Sequence, residues 1–135
     1  MSPVRAYFGA IEAQLYVTDI DRAVRFYTAK LGFTVAFLYG EPPHYGMVQR
    51  DNARLCLRLV HEPVFVGDIR ERQQLLAASI TLDSATDLRQ LCTEYQITGV
   101  PFHQPLVAQP WGALNAILCD PDGNLILFAS PIDVA

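Results

Sequence analysis

The sequence predicts an α+β fold of two tandem βαβββ modules, forming curled mixed sheets around a cleft with the helices on the outer faces. Two observations carry this. An alternating apolar segment, an acidic turn and an amphipathic helix occur in that order twice, with Leu82 following Val17 by 65 residues. After each helix come three further strand-like segments, separated by turns rich in Gly, Pro, Asp and Asn. The 135 residues, 51% of them hydrophobic, suffice for one compact core that needs neither a disulfide nor a structural metal.

In residues 11–17, Ile11, Ala13, Leu15 and Val17 alternate with Glu12, Gln14 and Tyr16, the period of a half-buried strand. Thr18 or Asp19 then caps a helix over 20–30. Its Ile20, Ala23, Val24, Tyr27 and Leu31 recur at spacings of three and four and form one inward stripe, and Gly32 ends it. Strands follow over 33–39, 45–49 and 53–60, separated by the turns Gly40-Glu41-Pro42-Pro43 and Arg50-Asp51-Asn52. In the last of them Leu55, Leu57 and Leu59 point to the helix, and Arg54, Cys56 and Arg58 point away. Residues 61–74, with Pro63, Gly67 and clustered charges, read as a connector.

The second module opens with a strand over 76–82, placing Leu76, Ala78, Ile80 and Leu82 on one face. A helix over 85–96 presents Ala85, Leu88, Leu91, Cys92 and Tyr95 as its buried stripe and ends at Gly99-Val100-Pro101. Strands are expected over 102–107, 113–119 and 124–129, the last two joined by Asp120-Pro121-Asp122-Gly123. The chain is thus expected to be one domain, with modules at about 10–60 and 75–130.

Fourteen acidic against ten basic residues give a net charge of -4, and the basic residues are scattered between Arg5 and Arg89. Neither a nucleic acid nor an anionic membrane surface is an expected partner. The apolar runs are too short to cross a bilayer and no basic-then-apolar leader opens the chain, so a cytoplasmic protein is expected. Cys56, Cys92 and Cys119 lack zinc-site spacing and are expected as reduced, mostly buried thiols.

With one helix per four-stranded module, each sheet has one covered face. The opposite faces carry Glu12, Gln14, Tyr16, Arg54, Cys56, Arg58, Ala77, Ser79 and Thr81. They form a ligand-lined concavity if the sheets curl together, or an ordinary solvated surface if they do not. In a partly apolar cleft Glu12 suits a general base or the counter-ion of a cationic ligand; pairing with Arg54 or Arg58 is the alternative. Cys56, between two arginines, is either a structural thiol or a thiolate nucleophile. Trp111, held between Pro110 and Gly112, offers a stacking platform for a planar ligand, a dimer contact, or a plug over the sheet edge. His44 and Tyr45 follow the Pro42-Pro43 turn and either rim the same face or lie exposed in the turn.

Several segments together resemble the glyoxalase, bleomycin-resistance and extradiol-dioxygenase superfamily, the vicinal oxygen chelate proteins. They are Leu15-Tyr16-Val17-Thr18-Asp19, Arg25-Phe26-Tyr27, Lys30-Leu31-Gly32-Phe33, Pro110-Trp111-Gly112 and Asp120-Pro121-Asp122-Gly123-Asn124. The last two resemble the bleomycin-resistance branch most, which implies a homodimer holding a small molecule between paired sheets. The ligand-lining set implied in this way comprises Glu12, Gln14, Tyr16, Tyr45, Arg54, Cys56, Arg58, Trp111, Asn115 and Leu127.

Metal-dependent members of the superfamily carry His, Gln or Glu on the first and fourth strand of each module. The corresponding positions here hold Glu12, Cys56, Ala77 and Leu127, leaving one conventional ligand, whereas a catalytic metal generally requires three. His44, His61 and His103 fall outside those positions. The resemblance with this donor set implies a binding protein without metal or cofactor, for an aromatic or cationic compound, with Glu12 as the one catalytic candidate. The alternative it leaves open is a metal-dependent lyase, isomerase or dioxygenase whose degenerate site uses Glu12, Cys56 and a mobile His.

Overall fold

The computed structural model describes residues 4–132. In chain order the elements are β1 (Ala13–Val17), α1 (Ile20–Arg25), which continues as a π-helical turn (Phe26–Lys30), β2 (Thr34–Tyr39), β3 (Tyr45–Arg50) and β4 (Ala53–Leu59), then α2 (Ile69–Gln73), β5 (Leu76–Thr81), α3 (Ala85–Ile97), β6 (Phe102–Ala108), β7 (Ala113–Cys119) and β8 (Leu125–Pro131). The two sheets have the orders β1-β4-β3-β2 and β5-β8-β7-β6. β1 runs parallel to β4 and β5 to β8, and the other pairs are antiparallel. A parallel partner needs a crossover, and in each module the helix after the first strand begins it. The expected α+β doubling of a βαβββ unit is the observed fold.

Local chemistry sets the helix ends. Asp19 caps α1, its Oδ1 accepting from the Arg22 amide at 3.0 Å, and Ser84 caps α3 by accepting from the Asp87 amide at 3.1 Å. Gly32 stops the first helix with φ +77, a dihedral that side chains disfavour. The helix widens before that point, the Leu31 amide reaching back five residues to the Phe26 carbonyl at 3.2 Å. The adjacent Phe26 and Tyr27 are both buried there, edge to face at 5.3 Å, and Tyr27 packs likewise on Phe33 at 5.8 Å. α3 buries Ala85, Leu88, Leu91, Cys92 and Tyr95, the stripe its sequence predicts.

Both modules contribute to one continuous core. Leu15, Val17, Leu55 and Leu57 of the first sheet share it with Leu118, Ile126 and Phe128 of the second, and Tyr27 and Tyr95 lie in it. Each large side chain buried there contributes about 1.5–3 kcal/mol.

Polar bonds join the modules at two main places, besides the reciprocal pair in which Lys30 Nζ donates to the Thr98 carbonyl and Thr98 Oγ1 to the Lys30 carbonyl. Tyr27 donates to Asp120 Oδ2 at 2.9 Å across 93 residues of sequence. Asp120 also accepts from the amides of Asp122 and Asn124 and from Asn124 Nδ2, and Asn124 Nδ2 in turn donates to the Tyr16 carbonyl. Burial pushes both the Asp120 carboxyl and the Tyr27 phenol above their ordinary values, and the Asp120 charge adds to the rise at Tyr27. At the second place Arg50 forms a two-pronged pair with Glu94, at 2.6 and 3.1 Å, and donates to the Leu31 carbonyl, which also accepts from the Tyr95 phenol.

Some expectations need correction. β1 begins at Ala13, and Ile11 is exposed instead of buried. The pairing of Ala13 with Leu55 puts Ile11 level with Ala53, where the β3–β4 turn ends the sheet. Leu76, expected on the inner face, is exposed at the start of β5 beside a register shift. The connector contains the short helix α2, which has no apolar stripe to announce it. Cys56 and Cys92 are buried free thiols, and Cys119 is half-buried. No helix among the described residues is long and apolar enough to cross a membrane.

Two predictions follow from the Asp120 junction. Tyr27→Phe withdraws one donor from a buried carboxylate and should lower stability by about 1–3 kcal/mol in denaturant titration; an unchanged midpoint would remove this bond from the account. The pH dependence has a definite sign. The raised folded value means that the folded chain holds the Asp120 proton more tightly than the unfolded one. This contribution is full below the ordinary value of 3.8 and is lost as pH rises through the folded value. Asp120→Asn should therefore flatten the wild-type decline over that window.

Candidate functional site

Strand register brings seven of the predicted site residues onto one face. On β1 and β4, Gln14 lies opposite Cys56 and Tyr16 opposite Arg58, with Glu12 one step beyond β1 and level with Arg54. β3 extends the same face, Met47 lying opposite Cys56 and Tyr45 opposite Arg58, and β2 adds Phe37 and Tyr39. These side chains are opposite in parity to Leu15, Val17, Leu55 and Leu57, which fill the core.

Glu12, Gln14, Tyr16, Arg54 and Arg58 are exposed, Tyr45 is half-buried and Cys56 is buried. Cys56 is covered from its own polar face. Hydrogen bonding with its sulfur pushes the Tyr45 phenol above its ordinary value, while a bond with Gln14 pulls the other way. Glu12 forms no ion pair with Arg54 or Arg58 among the described residues, so the guanidiniums leave its carboxylate available to a ligand.

On the second sheet, Leu127 lies opposite Ser79 and Ile117, and Asn115 opposite Ala129. Asn115 is buried, and its Oδ1 has no protein partner. β6, which lies beside Asn115 through Val107, carries two register shifts, irregularities that re-aim side chains. Both modules turn their apolar faces into one core and β1 lies beside β5, so the two polar faces adjoin across that seam. Trp111 stands apart in the β6–β7 loop at 72% exposure, which removes the reading of a buried plug. His44 is exposed and packs edge-on against Tyr39 at 5.5 Å.

The donor set does not fit a catalytic metal of the kind the superfamily's enzymes use. Two of the four relevant positions, Ala77 and Leu127, carry no donor atom, which leaves only Glu12 and Cys56. Among the described residues no three His, Cys, Asp or Glu side chains gather within reach of one ion.

A cleft of about 1000 Å³ lies between the β3–β4 turn, the edge of β5 and α3. Of the residues expected along the concavity it takes in Arg54, Ala77, Ser79 and Thr81, but not Glu12, Gln14, Tyr16, Cys56 or Arg58. Its floor includes Ala13, Leu55, Ile80, Leu91 and Phe128, and its rim carries Asp51, Asp83 and Asp87. Sequence reasoning missed this cleft. Its lining comes from at least five separate segments, at Ile11 and Ala13, Phe33, Arg50–Leu55, Ala77–Tyr95 and Phe128, which no local pattern brings together.

Comparison with solved structures finds the same fold in several proteins. A glyoxalase/bleomycin resistance protein/dioxygenase from Alicyclobacillus acidocaldarius is 22% identical, over 93% of this chain and 92% of that one, with a TM-score of 0.75. A bleomycin-binding protein from Streptomyces verticillus, complexed with copper(II)-bleomycin, is 18% identical over 92% and 97%, with a TM-score of 0.69. A lactoylglutathione lyase from Agrobacterium tumefaciens is 17% identical over 93% and 96%, also at 0.69. At these identities the likeness is one of fold, and the three names span binding and catalysis. Comparison with the curated proteins found no match. The sequence pattern of the Glyoxalase/Bleomycin resistance protein/Dioxygenase superfamily matches residues 9–128, nearly the whole of the doubled βαβββ fold, and the chain belongs to that superfamily.

Proposed function

We propose that this chain is a cytoplasmic small-molecule binding protein that sequesters an aromatic or cationic compound without a metal, working as a homodimer in which residues 1–135 act as one domain. The observation that carries the reading is the polar face of the first sheet. It carries the Glu12 carboxylate at one end, level with Arg54, and Tyr16, Tyr45 and Tyr39 at the other, level with Arg58, while two of the positions that hold a metal in the enzymes are Ala77 and Leu127. A face with a carboxylate at one end and aromatic rings at the other suits an extended ligand with a cationic group and a planar body, through charge attraction and stacking. The face is broad and open in one chain, and a second copy laid across it would enclose the ligand and remove it from water. Gln14, Arg54, Arg58, Asn115 and Leu127 would shape that enclosure, and Trp111 would lie at its edge or at the contact between copies. The bleomycin-binding relative supports this class of ligand, and with it a role in antibiotic resistance.

The reading is tested with bleomycin and copper(II)-bleomycin as probes. Saturable binding at one ligand per chain should quench or shift Trp111 emission and raise the melting temperature, because a ligand held only by the folded state stabilises it. Glu12→Gln should weaken binding of the cationic probe about tenfold, equivalent to about 1.4 kcal/mol, and leave the melting temperature of the free protein unchanged. Elemental analysis decides the alternative. A stoichiometric metal in the purified protein that disappears in Glu12→Ala would replace the binding protein with a metal-dependent lyase, isomerase or dioxygenase.

A further inference from the structure

The internal repeat relates the segment before β5 to the segment before β1, and the two are treated differently in the structure. Arg70 follows Arg5 by 65 residues, the spacing that separates Leu76 from Ile11 and Leu82 from Val17. In the second module this preceding segment is docked. Arg70 Nη2 donates to the Asp122 carbonyl in the β7–β8 turn at 2.9 Å, and its guanidinium lies over the Phe65 ring at 4.8 Å. The turn is shaped for it: a side chain at Gly123, where φ is +80, would collide with the guanidinium.

In the first module the corresponding segment, residues 4–11, is undocked. Val4, Tyr7, Phe8 and Ile11 are 100, 92, 94 and 99% exposed, a concentration of apolar surface that none of the described residues covers. The turn that corresponds to β7–β8 is Arg50-Asp51-Asn52, between β3 and β4, with Asp51 at φ +50. That turn forms one wall of the open 1000 Å³ cleft, and Ile11 already stands at the cleft's margin.

We infer that residues 4–11 are a strap that closes over this cleft in their own chain, Arg5 docking on the Arg50–Asn52 turn as Arg70 docks on the β7–β8 turn. Four features fit the occupant to the cleft. Tyr7 and Phe8 match the apolar floor formed by Leu55, Ile80, Leu91 and Phe128. The single charge of residues 4–11 at their cleft-distal end, Arg5, meets a rim carrying Asp51, Asp83 and Asp87. The tether at Ile11 keeps the strap at high local concentration, since seven residues reach up to about 23 Å. Gly9, with no heavy atom near it, supplies a point at which the segment can fold back. Burying four large apolar side chains is opposed by ordering eight residues of backbone, two effects of similar size. The strap is therefore set to open and close, and it controls access to the cleft.

The test places one cysteine on the strap, Phe8→Cys, and one on the exposed part of α3 that lines the cleft, Gln90→Cys. Under mild oxidation the pair should form an intramolecular disulfide, keeping the mass of one 15.0 kDa chain, at least tenfold faster than Phe8→Cys paired with Ile97→Cys, near the far end of the same helix. Adding Arg5→Glu should slow the bond several-fold. The wild type and each single variant control for the native thiols. Equal rates at the two helix positions would overturn the inference. So would covalent dimers when a Phe8→Cys chain is mixed with a Gln90→Cys chain, which would place the strap on a second copy. The readout needs no ligand, so it stands or falls separately from the binding function proposed above.

Discussion

The structure depends on one buried carboxylate. Asp120 sits in the β7–β8 turn, and a charge in that position is tolerated only because donors surround it. The amides of Asp122 and Asn124 and the Asn124 side chain come from its own turn, but the Tyr27 hydroxyl comes from the other module. That last bond fixes the first helix against the second sheet and so sets how the two modules meet. The neighbouring Asp122 reinforces it by accepting from the amide and hydroxyl of Thr18, just ahead of α1. Removing one partner from such a group leaves an uncompensated buried charge, so the junction is either complete or costly.

A doubled module gives two such junctions, and their difference is what makes the molecule interesting. One end closes on Asp120, with Arg70 covering its turn. The other relies on Arg50 bridging to Glu94 and leaves a cleft beside it. Meanwhile the polar face across both sheets stays outside the core, because alternation along each strand that buries Leu15 and Leu57 must expose Gln14 and Arg58. The superfamily can place different chemistry on such a face by changing single residues. Here that face carries Glu12, Cys56 and several tyrosines on the first sheet and Leu127 on the second.

Much of this was legible in the sequence, and the failures have physical causes. The α3 stripe, the cap at Asp19 and the succession of strands and helices along the chain follow from periodicity and turn chemistry, which are local. The alternation that placed Glu12, Gln14 and Tyr16 together is local too. It failed at Ile11 because the end of a sheet is set by the register of a neighbouring strand 40 residues away, which no pattern within residues 11–17 encodes. Cys56 followed the polar parity yet is buried, in β4 between β1 and β3 with Gln14 and Met47 as its strand neighbours. Trp111 had three open readings, and its exposure in the loop left two.

The sequence by itself determined the repeat, the fold class, both helix faces and the absence of donors at Ala77 and Leu127, because each is written in residue type and short-range spacing. Only the tertiary structure decided which distant groups meet. The Tyr27–Asp120 bond, the Arg50–Glu94 bridge, the inter-module cleft and the docking of Arg70 on the β7–β8 turn all join segments that chain order keeps apart. Their pairing depends on how two sheets pack around a shared core, and that packing is fixed by shape and burial over the whole chain.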